Sequence, residues 1–267
     1  MVPTNLRPEA KTMTSELRNP PATVLVTGGS RGIGAATARC CAAAGWTVAV
    51  NYANDRSAAE RVVADIRAAG GQACAWQADV ADEAQVLRMF TAIDAEMPPL
   101  QGLVNNAGVI DQPVRVEAIT LARLRRMFAI NVYGAFLCAR EAVRRMSTRG
   151  GGPGGAIVNL TSAAARLGAP GQYVDYAAAK GAIDAFTVGL AKEVATEGIR
   201  VNGVRPGIID TEIHASGGLP GRVREMAPHV PMQRAGRAEE VAQAIVWLLG
   251  DGASYTTGAT LDVTGGR

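Results

Sequence analysis

TVLVTGGSRGIG, residues 23 to 34, is the stretch from which the fold of this 267-residue chain follows. A short β-branched and aliphatic run passes directly into a turn containing Gly28, Gly29, Gly32 and Gly34, and an alanine-rich helical segment begins at once. Gly28 permits a tight reversal, Gly32 lets backbone approach a pyrophosphate, and Gly34 lets helix and strand pack in contact. Unpaired N–H groups at the start of such a helix favour an anion. A glycine-rich turn alone also serves as a plain strand-to-helix connection, so its surroundings decide.

The alternation continues along the chain. Apolar runs at 23–27, 46–50, 73–77, 102–106, 156–161, 199–204 and 259–263 read as buried strands. Amphipathic stretches at about 32–44, 55–69, 82–96, 120–147, 174–197 and 238–249 read as helices. Continuous apolar strands separated by helix-length crossovers predict a parallel sheet covered on both faces. The expected architecture is a single α/β domain over residues 21–267, a doubly wound seven-stranded parallel sheet of the Rossmann type. Residues 1–20 hold no apolar run suited to a secretion signal or a membrane span, and read as an extension of a cytoplasmic protein. RGGGPGG at 149–155 reads as a surface connection, and residues 211–232, with two adjacent glycines and three prolines, as an irregular lid. That lid leaves from a strand's carboxyl end, where ligands bind in parallel sheets.

Composition removes several classes. Twenty-seven basic against 24 acidic residues, interspersed, form no stripe for nucleic acid or an anionic membrane. Cys40, Cys41, Cys74 and Cys138 make no CxxC pair and sit in apolar surroundings, which suggests buried side chains in a reducing compartment. With only His214 and His229, no zinc or di-metal spacing exists, and a metal-free mechanism is expected.

YVDYAAAK, residues 173–180, carries the candidate chemistry. Only Lys11, Lys180 and Lys192 are lysine in a chain that otherwise uses arginine. On a helix Tyr176 and Lys180 lie one turn apart on one face, whereas Tyr173 is about 10 Å from Lys180 along the axis. A phenol with a pKa of about 10 is a poor acid or base near neutrality, and a neighbouring ammonium is expected to lower it. Alone, this spacing equally fits an exposed lysine beside a half-buried tyrosine. A hydroxyl at the end of the apolar run 156–161 is expected to project into the same crevice and polarise a carbonyl. Thr161 and Ser162 are adjacent and face opposite sides of the strand, and the choice of Ser162 rests on the resemblance given next. Tyr173 reads either as a pocket wall or as ordinary packing.

Taken in order, these motifs resemble the short-chain dehydrogenase/reductase family in its compact, single-domain branch. The TGxxxGxG spacing holds Gly28, Ser30, Arg31, Gly32, Ile33 and Gly34. Asp79 and Val80 look like the family's adenine contact. Asn106, Ala107 and Gly108 of NNAG look like the turn beside the adenine ribose. Pro206, Gly207, Ile209 and Thr211 look like the segment beside the nicotinamide. The resemblance spans nearly the whole chain and implies Ser162, Tyr176 and Lys180 as catalytic residues. It also implies that Asn131 of FAINVYG holds a water linking Lys180 to solvent, although a lone asparagine there also fits a local helix kink. Ser162 and Tyr176 are 14 positions apart, one more than many members have. The C-terminal pattern is similar to members that assemble as homotetramers.

An acid near the end of the second strand would bind a free ribose 2′-hydroxyl and repel a 2′-phosphate. This chain has Asn51, Tyr52 and Ala53 there, with Asp55 the first acid, and Arg31 in the glycine turn suits a phosphate monoester. NADP(H) is therefore the expected cofactor, with NAD the alternative if Arg31 is only a solvated turn residue. The expected activity is hydride transfer between nicotinamide and a small carbonyl or secondary alcohol. A catalytically idle NADP-binding regulator on the same fold is the alternative.

Overall fold

The computed structural model describes residues 21–267, so the expectation for residues 1–20 lies outside it. In chain order the elements are β1 (Thr23–Val26), α1 (Gly32–Ala43), β2 (Thr47–Tyr52), α2 (Arg56–Ala68), β3 (Gln72–Gln77), α3 (Glu83–Glu96) and β4 (Leu100–Asn105). There follow α4 (Leu121–Phe128), α5 (Gly134–Met146), β5 (Gly155–Leu160), α6 (Ala164–Leu167), α7 (Val174–Val194), β6 (Ile199–Pro206), α8 (Ile213–Ser216), α9 (Arg222–Met226), α10 (Ala238–Leu249) and β7 (Thr260–Val263).

All seven expected strands form, in one parallel sheet of order β3-β2-β1-β4-β5-β6-β7. Val24, Val26, Val48 and Val158 pack with α1, α2 and α10 on one face. Leu25, Leu103, Ile157 and Val201 pack with α3, α5 and α7 on the other. Alternate residues of one strand thus enter opposite cores, which is why the strands read as unbroken apolar runs. The chain reverses direction across the sheet between β1 and β4, and the crevice at their carboxyl ends is where such sheets bind ligands.

Short polar residues start the helices where the pattern changes. Asp55 and Asp82 cap α2 and α3 through the N–H groups of Ala58 and Gln85, and Thr120 caps α4 through that of Arg123. Cys41 and Cys138 are buried, but Cys40 and Cys74 are only half-buried, so the expectation of four buried thiols holds for two.

Three departures from the pattern have physical causes. The long helix expected over 120–147 is interrupted by a π-helical turn, Ala129–Tyr133, with Asn131 inside it. The stretch 211–232 is less irregular than expected and contains α8 and α9. The glycine-rich 149–155 stretch packs tightly: Gly152 N–H donates to Ser147 O, Gly154 N–H to Met146 O, and Gly155 enters β5. Glycine is needed at 152 because a Cβ would meet the backbone oxygen of Arg145.

The same argument is strongest at Gly34. A Cβ there would overlap Gly28 O and lie 2.5 Å from Asn106 Nδ2. Gly34→Ala is expected to lower the unfolding free energy by at least about 2 kcal/mol, measured by urea denaturation. An unchanged midpoint would show that α1 is free to shift away from β1.

Candidate active site

The turn after β1 is held by side chains from two neighbouring strands. Asn51, fully buried, accepts from Gly28 N–H at 3.2 Å and donates to Ala78 O at 2.9 Å. Asn106 donates to Thr27 O and Gly28 O at 2.9 and 3.0 Å, while the Thr27 hydroxyl accepts from the N–H groups of Asn106 and Ala107. Asn51, expected as a cofactor contact, therefore spends its amide bracing the turn. It also lines the groove over the turn.

A groove of about 540 Å³ lies over this turn, lined by Ser30, Arg31, Gly32, Asp79, Val80 and Ala107 among others. A chamber of about 500 Å³ adjoins it, lined by Ser162, Tyr176, Lys180, Gly207 and Ile209. Ile33, Asn106, Gly108 and Thr211 line both, so the two spaces are continuous. Each site residue expected from sequence lines one of them, except Gly34, which serves packing, and Asn131, which sits behind Gly108.

Pro206 and Gly207 bring the chain past β7, where Gly207 N–H donates to Val263 O and a Cβ would sit 2.8 Å from Thr264 Cα. Asp79 accepts from Ala81 N–H, fixing the turn after β3, and Val80 is packed beneath Gly134. Asp55 lines the groove too, but its Oδ1 accepts from Ala58 N–H. That bond, then the one from Ser57, holds its carboxyl below the usual range, and Arg31 adds to the effect.

Lys180 is buried on α7, and its Nζ donates to Leu160 O at 2.8 Å. In return Thr161 Oγ1 donates to Lys180 O at 3.1 Å. The end of β5 and the middle of α7 are thus stitched twice. Burial lowers the ammonium's pKa to about 8, partly opposed by Asp184 one turn further along α7. Asp184 was missed from sequence; its signal was the continuing four-residue spacing Tyr176, Lys180, Asp184 on one helix face.

Tyr176 lines the chamber with Lys180 Nζ 5.8 Å from its ring centroid. The expectation of a phenol lowered by the lysine is not met. Burial pushes the phenol up, and the only opposing influence is a hydrogen bond with Ser162. The ammonium faces the ring and the Leu160 carbonyl, leaving the phenol oxygen to Ser162. Ser162 Oγ also accepts from Ala164 N–H at 3.1 Å, so the start of α6 orients it.

Asn131 is buried in the π turn and donates to Val109 O and Met127 O, both at 3.0 Å. A Cβ on Gly108 would meet its Oδ1 at 2.8 Å and Lys180 Nζ at 3.5 Å, which puts both polar groups behind the same glycine. Between Ser162 and Tyr176 the chain forms the short α6 and turns at Gly168 and Ala169. Ala169 lines the chamber with φ of +44°, a left-handed backbone that is costly for a residue with a Cβ. Buried Asp175 and Arg123 then fix the first turn of α7 through paired bonds of 2.7 and 3.2 Å.

A family model described as enoyl-(acyl carrier protein) reductase matches residues 28–267. A short-chain dehydrogenase/reductase variant of Serratia marcescens superposes with a TM-score of 0.84 at 35% identity, covering 92% of this chain and 97% of that one. The chain belongs to the short-chain dehydrogenase/reductase family. Among the relatives of this short-chain dehydrogenase/reductase, the uncharacterized oxidoreductase YgfF of Escherichia coli is 60% identical over 92% of this chain and 100% of its own length. The cis-4-hydroxycyclohexanecarboxylate dehydrogenase of Sinomonas cyclohexanicum is 41% identical, covering 91% of this chain and 94% of that protein. This chain is accordingly an oxidoreductase acting on CH–OH groups or their carbonyl counterparts. Among the described residues, no group of side chains could hold a metal ion and no helix is long and apolar enough to cross a membrane.

Because the folded Lys180 titrates at about 8 and an unfolded lysine at about 10.5, the unfolded chain binds more protons between those values, and stability from this group rises with pH across that window. Lys180→Met removes the cost of the buried charge. Relative to wild type, the variant's stability is expected to fall by roughly 2–3 kcal/mol as pH rises from about 7 to about 10.5. Urea unfolding at the two pH values measures it, and a pH-independent difference would contradict the burial argument.

Proposed function

We propose that this enzyme is an NADP(H)-preferring carbonyl reductase or alcohol dehydrogenase in which Tyr176 exchanges the proton. The observation that carries the reading is the meeting of Ser162, Tyr176 and Lys180 in one chamber continuous with the groove over the glycine turn. That groove fits a dinucleotide: Gly28 and Gly32 have positive φ, and Gly32 lies against the Thr211 side chain. When bound, the nicotinamide would supply or accept the hydride.

The chain's own part is to bind and to move a proton. Ser162 would donate to the substrate oxygen and hold it at the phenol. A phenol raised by burial is fully protonated at neutral pH, the state required to give its proton to a carbonyl oxygen during reduction. Lys180, cationic at neutrality, would hold a ribose hydroxyl and favour phenolate once the proton has left. Asn131 would support a water that returns a proton towards Lys180.

Three features support the 2′-phosphate preference. Asn51 is committed to the turn, Asp55 caps α2, and Arg31 is an exposed cation on the groove. Residues 211–232, whose Thr211, Ile213 and Arg222 line the chamber, would act as its lid. The enzyme would act in the cytoplasm as a homotetramer, in which exposed Trp247 on α10 and Leu261 on β7 would be covered.

Fluorescence titration should show NADPH binding more tightly than NADH, with Arg31→Leu reducing the difference about tenfold or more. Tighter binding of NADH would overturn the preference. A panel of aldehydes and ketones should consume NADPH; tight cofactor binding with no turnover of any of them would favour the idle regulator instead.

A further inference from the structure

The chamber's side-chain charge is one-sided among the described residues. Lys180, Arg222 and Arg267 line it, and no described aspartate or glutamate does. Lys180 is committed to Leu160 O. Arg222, half-buried at the start of α9, forms no ion pair or hydrogen bond among the described residues; its guanidinium lies 5.3 Å from the ring centroid of Tyr173. Other arginines near this end of the sheet are satisfied: Arg123 by Asp175, and Arg166 and Arg205 by Asp262.

Tyr173 is the second observation. It lines the same chamber, is 5% exposed, and its hydroxyl is buried without a hydrogen-bond partner. A buried hydroxyl left unpaired is costly and rare in a well-formed site. Here the unpaired guanidinium lies over the ring that carries the unpaired hydroxyl, on one wall. The remaining wall is largely apolar, with Ile110, Leu167 and Ile213. The ring beneath the guanidinium restricts it before any ligand arrives, which lowers the ordering cost of binding.

We propose that the substrate carries a carboxylate, received by Arg222 and the Tyr173 hydroxyl, while its carbonyl or alcohol carbon lies at Ser162 and Tyr176. A carboxylate matches the planar fork of one guanidinium and has a lone pair left for one hydroxyl. The preferred substrates are therefore keto, aldehyde or hydroxy acids with an apolar body between the two ends. This rests on the oxidoreductase reading above. Arg222 and Tyr173 are binding residues and take no part in proton transfer.

The test compares 4-carboxybenzaldehyde with methyl 4-formylbenzoate, which differ in charge at the end remote from the aldehyde. Wild-type kcat/KM with NADPH should favour the acid, and Arg222→Gln should collapse the acid-to-ester ratio roughly 10- to 100-fold. Tyr173→Phe should reduce the ratio several-fold, and Arg224→Gln, an exposed arginine on the same short helix, should leave it intact. Equal use of both compounds by wild type, or an equal fall for both in Arg222→Gln, overturns the carboxylate site and leaves the oxidoreductase reading standing. If neither compound is reduced, thermal unfolding with NADPH separates the two claims. A rise in Tm with 4-carboxybenzaldehyde that Arg222→Gln abolishes keeps the carboxylate site and counts against the reductase reading; no rise in wild type overturns the site.

Discussion

The bond from Lys180 Nζ to Leu160 O holds the candidate active site together. It ties a buried ammonium on α7 to the carboxyl end of β5, and the return bond from Thr161 to Lys180 O makes the tie two-stranded. An ammonium in such a place costs the fold stability, as its lowered pKa shows. What the cost secures is position. Ser162 follows Thr161 directly and Tyr176 precedes Lys180 by one helical turn, so fixing β5 against α7 brings serine and tyrosine within hydrogen-bond reach.

A second polar anchor performs the same service for the glycine turn. Asn51 from β2 and Asn106 from the end of β4 bond the turn from either side, and Thr27 accepts from the backbone after β4. Deeper in the sheet, Asn105 donates to Asn159, which donates to Thr187 of α7. These buried amides add side-chain bonds between β4, β5 and α7 to the backbone pairing of β4 with β5. Both anchors converge behind Gly108, whose missing Cβ gives Asn131 and Lys180 their room.

How much of this was legible in the chain depended on whether a residue acts through local spacing or through tertiary contact. The strands were readable because both faces of the sheet are buried, so apolar residues dominate β1 and most of β5. Tyr176 and Lys180 were readable because helical geometry alone makes them neighbours. The π turn was not, since AINVY has ordinary helical composition and only the packing around Asn131 opens it. The bonds of Asn51 to the protein were not legible, because the carbonyl it donates to lies 27 positions away. Arg222 and Tyr173 lie 49 positions apart and meet only because α9 folds over the start of α7.

The central claim is that Tyr176 is the proton donor and acceptor in a chamber preorganised by the Lys180 tie. It is tested most directly by Tyr176→Phe, which removes one hydroxyl while keeping the ring that Lys180 faces. The account predicts a loss of kcat of roughly 10²- to 10⁴-fold, with NADPH affinity and unfolding midpoint essentially those of the wild type. Retention of turnover near the wild-type rate by a folded, NADPH-binding variant would contradict it.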